Sequence, residues 1–203
     1  YVEERKGKPD HATMASEYPS DDVEAFVHSG TRVFDKYLVG NFKKTCCPPQ
    51  FIGDMVADGD EGKEAFKGLR FVEDAQGCLW IWKKPEIWAN ERVTNRYLVV
   101  VDIGKGSSDK ADYSVITVFD RFYMIDGDKP SVVAQWYGRI DMDILAWKSA
   151  QIAAYYDNAL LVIESNTLET GSASSEQGLF ILDQIKDVYS NLYAREQRPE
   201  ALV

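Results

Sequence analysis

The chain is poor in the residues that build disulfide-bonded and zinc-bound proteins. Its 203 residues include three cysteines and two histidines. Cys46 and Cys47 are adjacent, Cys78 is isolated, and no CxxC pair or Cys/His cluster has the spacing of a zinc site. The count predicts reduced, structural thiols in a cytosolic protein.

Long apolar runs are also missing. No run approaches the roughly 20 residues that a membrane-spanning helix needs, and the first residues, YVEERKGKPDH, are too polar for a signal peptide. The sequence therefore predicts no membrane association. It does not begin with methionine, which indicates a fragment or a processed product.

Positive charge is in deficit, because the formal net charge is −10. Proteins that grip DNA by general electrostatics usually carry a basic face, so this chain is not expected to bind that way. A nuclease is still allowed, since a site that gathers carboxylates for metal ions is acidic. No GxGxxG opens a helix, which disfavours a Rossmann site, and GxxxxGK[ST] does not occur, so the sequence shows no P-loop ATPase motor of its own.

The composition, 45% hydrophobic and 28% charged, is that of a globular protein with a full core. We divide the chain into a polar linker with one short helix at 1–33, a segment at 34–95, and a regular core at 96–203. The middle segment is expected to be irregular, apart from a β-hairpin at 68–85 around the turn DAQG. Trp80, Trp82 and Trp88 are expected to pack that hairpin rather than stack on DNA bases.

The core shows the clearest pattern. Three apolar segments at 96–102, about 113–120 and 132–140 are closely spaced, which predicts an antiparallel meander. The first is an unbroken apolar run, typical of a strand buried on both faces. A helix follows from an Asp141 cap, then a second buried strand at 159–163. The last predicted element is a helix with its apolar stripe at Ile181, Leu182, Ile185, Val188, Tyr189 and Leu192.

The two most apolar strands each end in an acid, Asp102 and Glu164. A strand–helix–strand crossover places such strands parallel and often adjacent, so the two carboxylates would lie side by side. Two neighbouring carboxylates repel unless a cation intervenes, and a divalent metal resolves the conflict. Asp112, just before the second strand, is a third candidate if the glycine-rich loop folds it back. A strand-end aspartate that only shapes a turn is the alternative.

A DxGxG turn after a strand can also cradle ATP phosphates, as in the actin and sugar-kinase class. That phosphotransferase reading expects a second glycine-rich loop after a later strand. Here the later strand is followed by ESNT, which favours metal-bound carboxylates but leaves the alternative open.

Three stretches resemble the large terminase subunit of tailed bacteriophages. The first resembles the end of its packaging ATPase region and the linker to the nuclease, and the other two resemble the nuclease itself. The stretches are EYPSDDVEAFVHSGTRVFD at 17–35, RYLVVVDIGKGSSDKADYSVITVFD at 96–120, and WYGRIDMDILA with YYDNALLVIESNT at 136–146 and 155–167. The resemblance spans most of residues 17–193. It implies an α/β, RNase H-like mixed sheet, an antiparallel meander plus a parallel strand, flanked by helices.

The resemblance also implies an activity. It is the cleavage of concatemeric viral double-stranded DNA during packaging, with two Mg²⁺ or Mn²⁺ ions. Asp102, Glu164 and Asp112 would be catalytic metal ligands, and Asn166 would orient a ligand or the phosphate. Portal protein and the small terminase subunit would be partners, in the host cytoplasm. A non-catalytic packaging docking module is a further alternative.

Two departures from the family pattern stand out. Lys105 occupies a loop position where some relatives carry a glutamate. A lysine there would either contact phosphate or simply be solvated. The family's third essential carboxylate lies in a later segment that this sequence does not contain. The last strand of the sheet and full activity of this chain alone are therefore expected to be missing.

Overall fold

The computed structural model describes residues 36–86, 94–104, 112–163 and 175–193, apart from the side chains of residues 36, 37, 125 and 175–179. The chain divides into two compact units, residues 1–48 and 49–203. In the first unit, helix α1 spans Lys36–Lys43. The helix predicted within 1–33 lies outside the described residues, and the division into three segments stays a prediction.

The second unit is built on one seven-stranded sheet with the order β2-β1-β3-β6-β5-β4-β7. The β4–β7 pair is parallel and the other pairs are antiparallel. This confirms the predicted mixed α/β sheet with a meander, a parallel strand and flanking helices, an arrangement consistent with an RNase H-like fold. The strands are β1 Phe51–Val56, β2 Arg70–Glu73, β3 Leu79–Ile81, β4 Tyr97–Asp102, β5 Ser114–Asp120, β6 Ser131–Gly138 and β7 Leu160–Ile163.

Two helices accompany the sheet, α2 at Met142–Tyr155 and α3 at Ser175–Ile185. Asp141 is the N-cap residue of α2 as predicted, although its side chain makes no capping hydrogen bond. Short 3-10 helices lie at Gly62–Phe66 and Phe122–Asp126. No helix of the described ranges is long and apolar enough to cross a membrane.

The two faces of the sheet differ in burial, and we call them the core face and the open face. On β4, Val99 and Val101 point into the core and are fully buried, because α2 packs on that side. The alternate residues Leu98 and Val100 are only half-buried on the open face, and Asp102 is exposed. The prediction that this strand is buried on both faces is therefore wrong for the open face.

The core-facing rows continue across the sheet by register. Val99 pairs with Val118 of β5 and Leu161 of β7, so alternate side chains from all three strands meet under α2. The last helix, α3, ends at Ile185 and packs on α2. The predicted stripe therefore extends beyond the helix, although Ile181 and Ile185 are fully buried as expected.

The predicted hairpin at 68–85 is wrong in its pairing. The turn exists, because Gly77 N–H donates to the Asp74 carbonyl oxygen at 3.0 Å. However, β2 and β3 do not pair with each other, because β1 lies between them and pairs with both. The residues of the turn favour a reversal of the chain, but they do not prevent β1 from lying between β2 and β3.

Strand β1 occupies a part of the chain that the sequence had marked as irregular. Its interior contains Gly53, which weakens a strand pattern. The glycine is required because a Cβ there would lie 2.0 Å from the Val72 carbonyl oxygen. Gly77 also approaches it, since a Cβ on Gly77 would lie 2.3 Å from the Gly53 carbonyl oxygen. Gly53, which weakens the strand pattern in the sequence, therefore allows the close approach of β2, and Gly77 allows the turn to pack on β1.

The outer edge of β7 carries one further pairing. Leu161 and Leu192 form an isolated parallel bridge, Leu161 N–H donates to the Asn191 carbonyl oxygen, and Tyr193 N–H donates to the Leu161 carbonyl oxygen. Residues 191–193 therefore cover part of this edge, although they form no full strand. Backbone pairing of this kind protects an edge from association with other chains.

A buried ion pair fixes the end of β4 opposite Asp102. Arg96 donates from Nε to Asp120 Oδ1 at 3.0 Å and from Nη2 to Asp120 Oδ2 at 2.7 Å. Arg96 Nη2 also donates to Glu86 Oε2 at 2.9 Å, and Lys83 forms an ion pair with Glu86. The side chains of Arg96 and Asp120 are 8% and 1% exposed, so each depends on the other for the interactions that water would otherwise supply.

Candidate functional site

Asp102 is the last residue of β4 and its side chain is exposed. It pairs in register with Val115 of β5, which pairs in turn with Tyr137 of β6. Because residues in register share a face, all three belong to the open face. The strand therefore delivers a carboxylate to the rim of the sheet, where solvent and a ligand have access.

The loop after Asp102 folds tightly against the start of β5. Gly104 N–H donates to Ser114 Oγ at 2.9 Å. A Cβ on Gly104 would lie 2.3 Å from the Asp112 carbonyl oxygen and 2.7 Å from Ser114 N. Only glycine allows this approach, which brings the segment carrying Asp102 beside the segment carrying Asp112. Both carboxylates are solvent-exposed.

The parallel pair β4–β7 determines where the second predicted acid leaves the sheet. Val101 pairs with Ile163, and these residues are bonded to Asp102 and Glu164 respectively. Of the five predicted site residues, Asp102 and Asp112 lie in the described part. Glu164, Asn166 and Lys105 lie outside the described residues, so the constellation of all five stays a prediction.

The donors at this rim suit a hard cation. Carboxylate oxygens are the protein ligands that Mg²⁺ prefers, and it usually takes one or two of them together with water and phosphate oxygens. Asp102 and Asp112 supply donors of that type from two adjoining segments. Within the described ranges, no group of three or more His, Cys, Asp or Glu side chains is close enough to hold a metal ion. The donor chemistry of these two acids fits the metal that the resemblance implies.

A Gly104→Ala variant is expected to be destabilised by about 1–3 kcal/mol, because the new methyl group overlaps backbone atoms that have no side-chain freedom to move. Chemical denaturation followed by tryptophan fluorescence would measure the change. Gly40→Ala is the matched control, since a Cβ at Gly40 meets nothing within 4 Å. Equal unfolding midpoints for the two variants would contradict the close approach.

A row of aromatic side chains runs across β3 and β6 on the open face toward this rim, and the sequence analysis did not identify it. Trp80 contacts Tyr137 edge to face, with ring centroids 5.1 Å apart. Tyr137 in turn contacts Tyr113, 5.9 Å away, and Arg139 lies over the Tyr113 ring at 4.1 Å. The sequence did contain one signal for this row. In the alternating pattern of β6, Tyr137 shares a face with the polar residue Gln135, which indicates that this face is not part of the core.

A cavity of about 660 Å³ lies elsewhere, between the Gly62–Phe66 helix, the end of α2 and the segment after α3. Its walls include Phe66, Tyr155 and Tyr189. Neither Asp102 nor Asp112 lines this cavity, so it is separate from the candidate metal site.

Comparisons with known proteins give limited information. No family model matches the chain, and no curated protein matches it. Among solved structures, the chain is similar to the large terminase nuclease from thermophilic phage G20c, crystallised with bound magnesium. The sequences are 14% identical, the TM-score is 0.41, and the match covers 63% of this chain and 55% of the other. The chain thus spans little more than half the length of that nuclease, and a similarity this distant does not assign a function.

Proposed function

We propose that this chain is the metal-dependent endonuclease part of a phage DNA-packaging terminase large subunit, and that it cleaves concatemeric viral double-stranded DNA. The observation that carries the proposal is the parallel register of Val101 with Ile163. It brings together the ends of two strands, of which β4 ends in Asp102 and β7 is followed in the sequence by Glu164. The resemblance of the surrounding segments to terminase nucleases supplies the substrate.

In the proposed reaction, Asp102 and Glu164 would hold the divalent ions, and Asp112 would support them from the segment that Gly104 approaches closely. Bound Mg²⁺ or Mn²⁺ would lower the pKa of a coordinated water and neutralise charge on the leaving oxygen of the phosphodiester. Lys105 would contact the phosphate, and Asn166 would orient a ligand.

The position of Asp102 in the sheet supports this proposed role. Its carboxylate lies at the exposed end of a strand whose neighbouring residue, Val101, is fully buried. The backbone at this position is therefore fixed by core packing while the side chain remains open to ions and substrate. The loop that follows is held by the hydrogen bond between Gly104 and Ser114.

The acidic chain is expected to depend on other components to hold DNA. A net charge of −10 opposes general electrostatic attraction to the phosphate backbone. Portal protein and the small terminase subunit are the proposed partners, and the host cytoplasm is the proposed location.

The function is tested first by metal binding, because binding requires the ligands but not a complete catalytic cycle. Isothermal titration of the purified chain with Mn²⁺ is expected to detect a site that EDTA removes. The same protein is then incubated with supercoiled plasmid and Mn²⁺, where nicked products are expected at a rate below that of a site with all three of the family's essential carboxylates. Absence of both metal binding and cleavage would overturn the proposal.

A titration with ATP and Mg²⁺ separates this function from the phosphotransferase alternative. A nuclease site of carboxylates has no pocket for adenine, so weak or undetectable nucleotide binding is expected. Tight ATP binding by this chain alone would favour the actin and sugar-kinase class instead.

A further inference from the structure

We propose that four residues form a binding track for an unpaired strand of nucleic acid, and that the track leads this strand toward Asp102. The residues are Trp80, Tyr137, Tyr113 and Arg139. The proposal deepens the proposed function and rests on it for the chemistry at Asp102, but the binding that it predicts is measured without cleavage. We call these four residues the aromatic track.

The track is continuous along the sheet. Its aromatic contacts run from Trp80 to Tyr137 at 5.1 Å and from Tyr137 to Tyr113 at 5.9 Å, and the Arg139 guanidinium lies 4.1 Å from the centre of the Tyr113 ring. Tyr137 and Tyr113 are 37% and 49% exposed. Trp80 is only partly exposed and packs on Tyr137, so the two tyrosines are the rings of the track that a ligand can reach.

The register connects the track to the candidate acid. Tyr137, Val115 and Asp102 are successive partners on β6, β5 and β4. They share the open face, and two strand spacings separate the Tyr137 and Asp102 Cα atoms, about 10 Å. Tyr113 directly follows Asp112 in the chain. A ligand lying on the track would therefore reach the two carboxylates without leaving this face.

The chemistry of the track favours an unpaired nucleic-acid strand as its occupant. Exposed aromatic rings at successive positions stack on bases, and an arginine near them adds cation–π contact with bases and attraction to phosphate. Paired bases within a duplex do not offer their faces to such rings. The track therefore selects locally opened DNA, in which one strand is presented to Asp102.

The proposal is tested by the binding of a fluorescein-labelled oligothymidylate, measured by fluorescence anisotropy in EDTA at low salt. The wild-type chain is expected to bind, and Tyr137→Ala is expected to weaken binding about tenfold, as for the loss of one base–aromatic stack. Tyr113→Ala is a second variant with the same expectation. The Tyr113 side chain is half exposed, and the residue lies just before β5. Its truncation should therefore leave folding unaffected.

Tyr123→Ala is the matched control, because Tyr123 is similarly exposed, at 47%, but lies on the Phe122–Asp126 helix outside the track. It should bind the strand as the wild type does. Equal affinities for the Tyr137, Tyr113 and Tyr123 variants would overturn the proposal. Failure of the wild-type chain to bind the strand would also overturn it and would leave a protein partner as the occupant of this face.

Separate measurements of binding and of cleavage distinguish failure of the track from failure of the proposed function. Loss of binding in the track variants, combined with no cleavage by any form of the chain, would retain the track and reject the nuclease.

Discussion

An Asp102→Asn variant is expected to cleave plasmid DNA at least about 100-fold more slowly than the wild-type chain in Mn²⁺. Asparagine has the same shape as aspartate but no negative charge, so an ion at the rim loses a carboxylate ligand. A loss of about 3–4 kcal/mol of transition-state stabilisation, of the size attributed to metal and oxyanion contacts, corresponds to 100-fold to 1,000-fold in rate. Initial rates of plasmid nicking at saturating Mn²⁺ would measure the change.

The exposure of Asp102 makes this variant informative, because its folding should be unaffected. No hydrogen bond or ion pair within the described residues depends on its carboxylate, so the unfolding midpoint should stay within experimental error of the wild type. Asp128→Asn is the matched control. Asp128 is also an exposed acid, but it lies in the turn before β6, on the Asp120 side of the meander. The Asp128 variant should therefore cleave DNA at the wild-type rate. Wild-type cleavage by the Asp102 variant would reject this residue as a metal ligand.

An Arg96→Met variant is expected to lose about 3–5 kcal/mol of unfolding free energy. Methionine approximates the arginine stem but removes both hydrogen bonds to Asp120, whose side chain is 1% exposed. A buried carboxylate without its partner must either remain charged at high cost or take up a proton. Urea denaturation at neutral pH would measure the loss.

The titration behaviour of the network supports this expectation. Burial opposes ionisation of Asp120, but the hydrogen bonds from Arg96 and from Phe122 N–H outweigh it and lower its pKa. Hydrogen bonds from Lys83 and then Arg96 lower the pKa of Glu86 to about 2. Because folding depresses both values, the network stabilises the protein fully above the unfolded pKa of about 4 and loses its contribution as the pH falls toward 2. The Arg96 variant should lose much of this acid dependence.

An exposed ion pair supplies the control for Arg96. Lys67 contacts Glu64 at 2.6 Å, but the two side chains are 62% and 57% exposed. A Lys67→Met variant should therefore change stability by less than about 1 kcal/mol. A double variant, Arg96→Met with Asp120→Leu, should recover part of the loss, because it removes the orphaned charge as well. If the Arg96 and Lys67 single variants lost similar amounts of unfolding free energy, burial of the Arg96–Asp120 pair would not make it more important for stability than the exposed pair.

The regular part of the fold was predictable because its signals are local. The expected strands at 96–102, 113–120 and 132–140 match β4, β5 and β6 within two residues at either end. Short loops between apolar runs leave antiparallel pairing as the economical choice. The crossover through α2 then makes β7 parallel to β4, since a helix connection returns the chain in the same direction.

The pairing of β1 was not predictable in the same way. Gly53 weakens its strand pattern, and the DAQG turn suggests that β2 and β3 pair directly. Which strands become neighbours depends on backbone contacts between distant segments, such as Gly77 against Gly53, and on β6 being free to accept β3 at its edge. None of these contacts leaves a periodic trace in the sequence.

The buried pair of Arg96 with Asp120 illustrates the same limit for polar residues. Both lie at strand ends, where charged residues are ordinarily solvated. Their 24-residue separation becomes a 2.7 Å contact only because β4 and β5 are antiparallel and in register at Tyr97 and Asp120.

The sequence by itself determined that apolar runs end in Asp102 and Glu164 and that a helix connects them, because local periodicity and covalent order require no knowledge of distant contacts. The tertiary structure alone decided that Val101 lies beside Ile163, that Gly104 closes against Asp112, and that Tyr137 shares a face with Asp102. Those relations come from strand register, and register is fixed by the packing of the whole sheet against α2 rather than by any single segment.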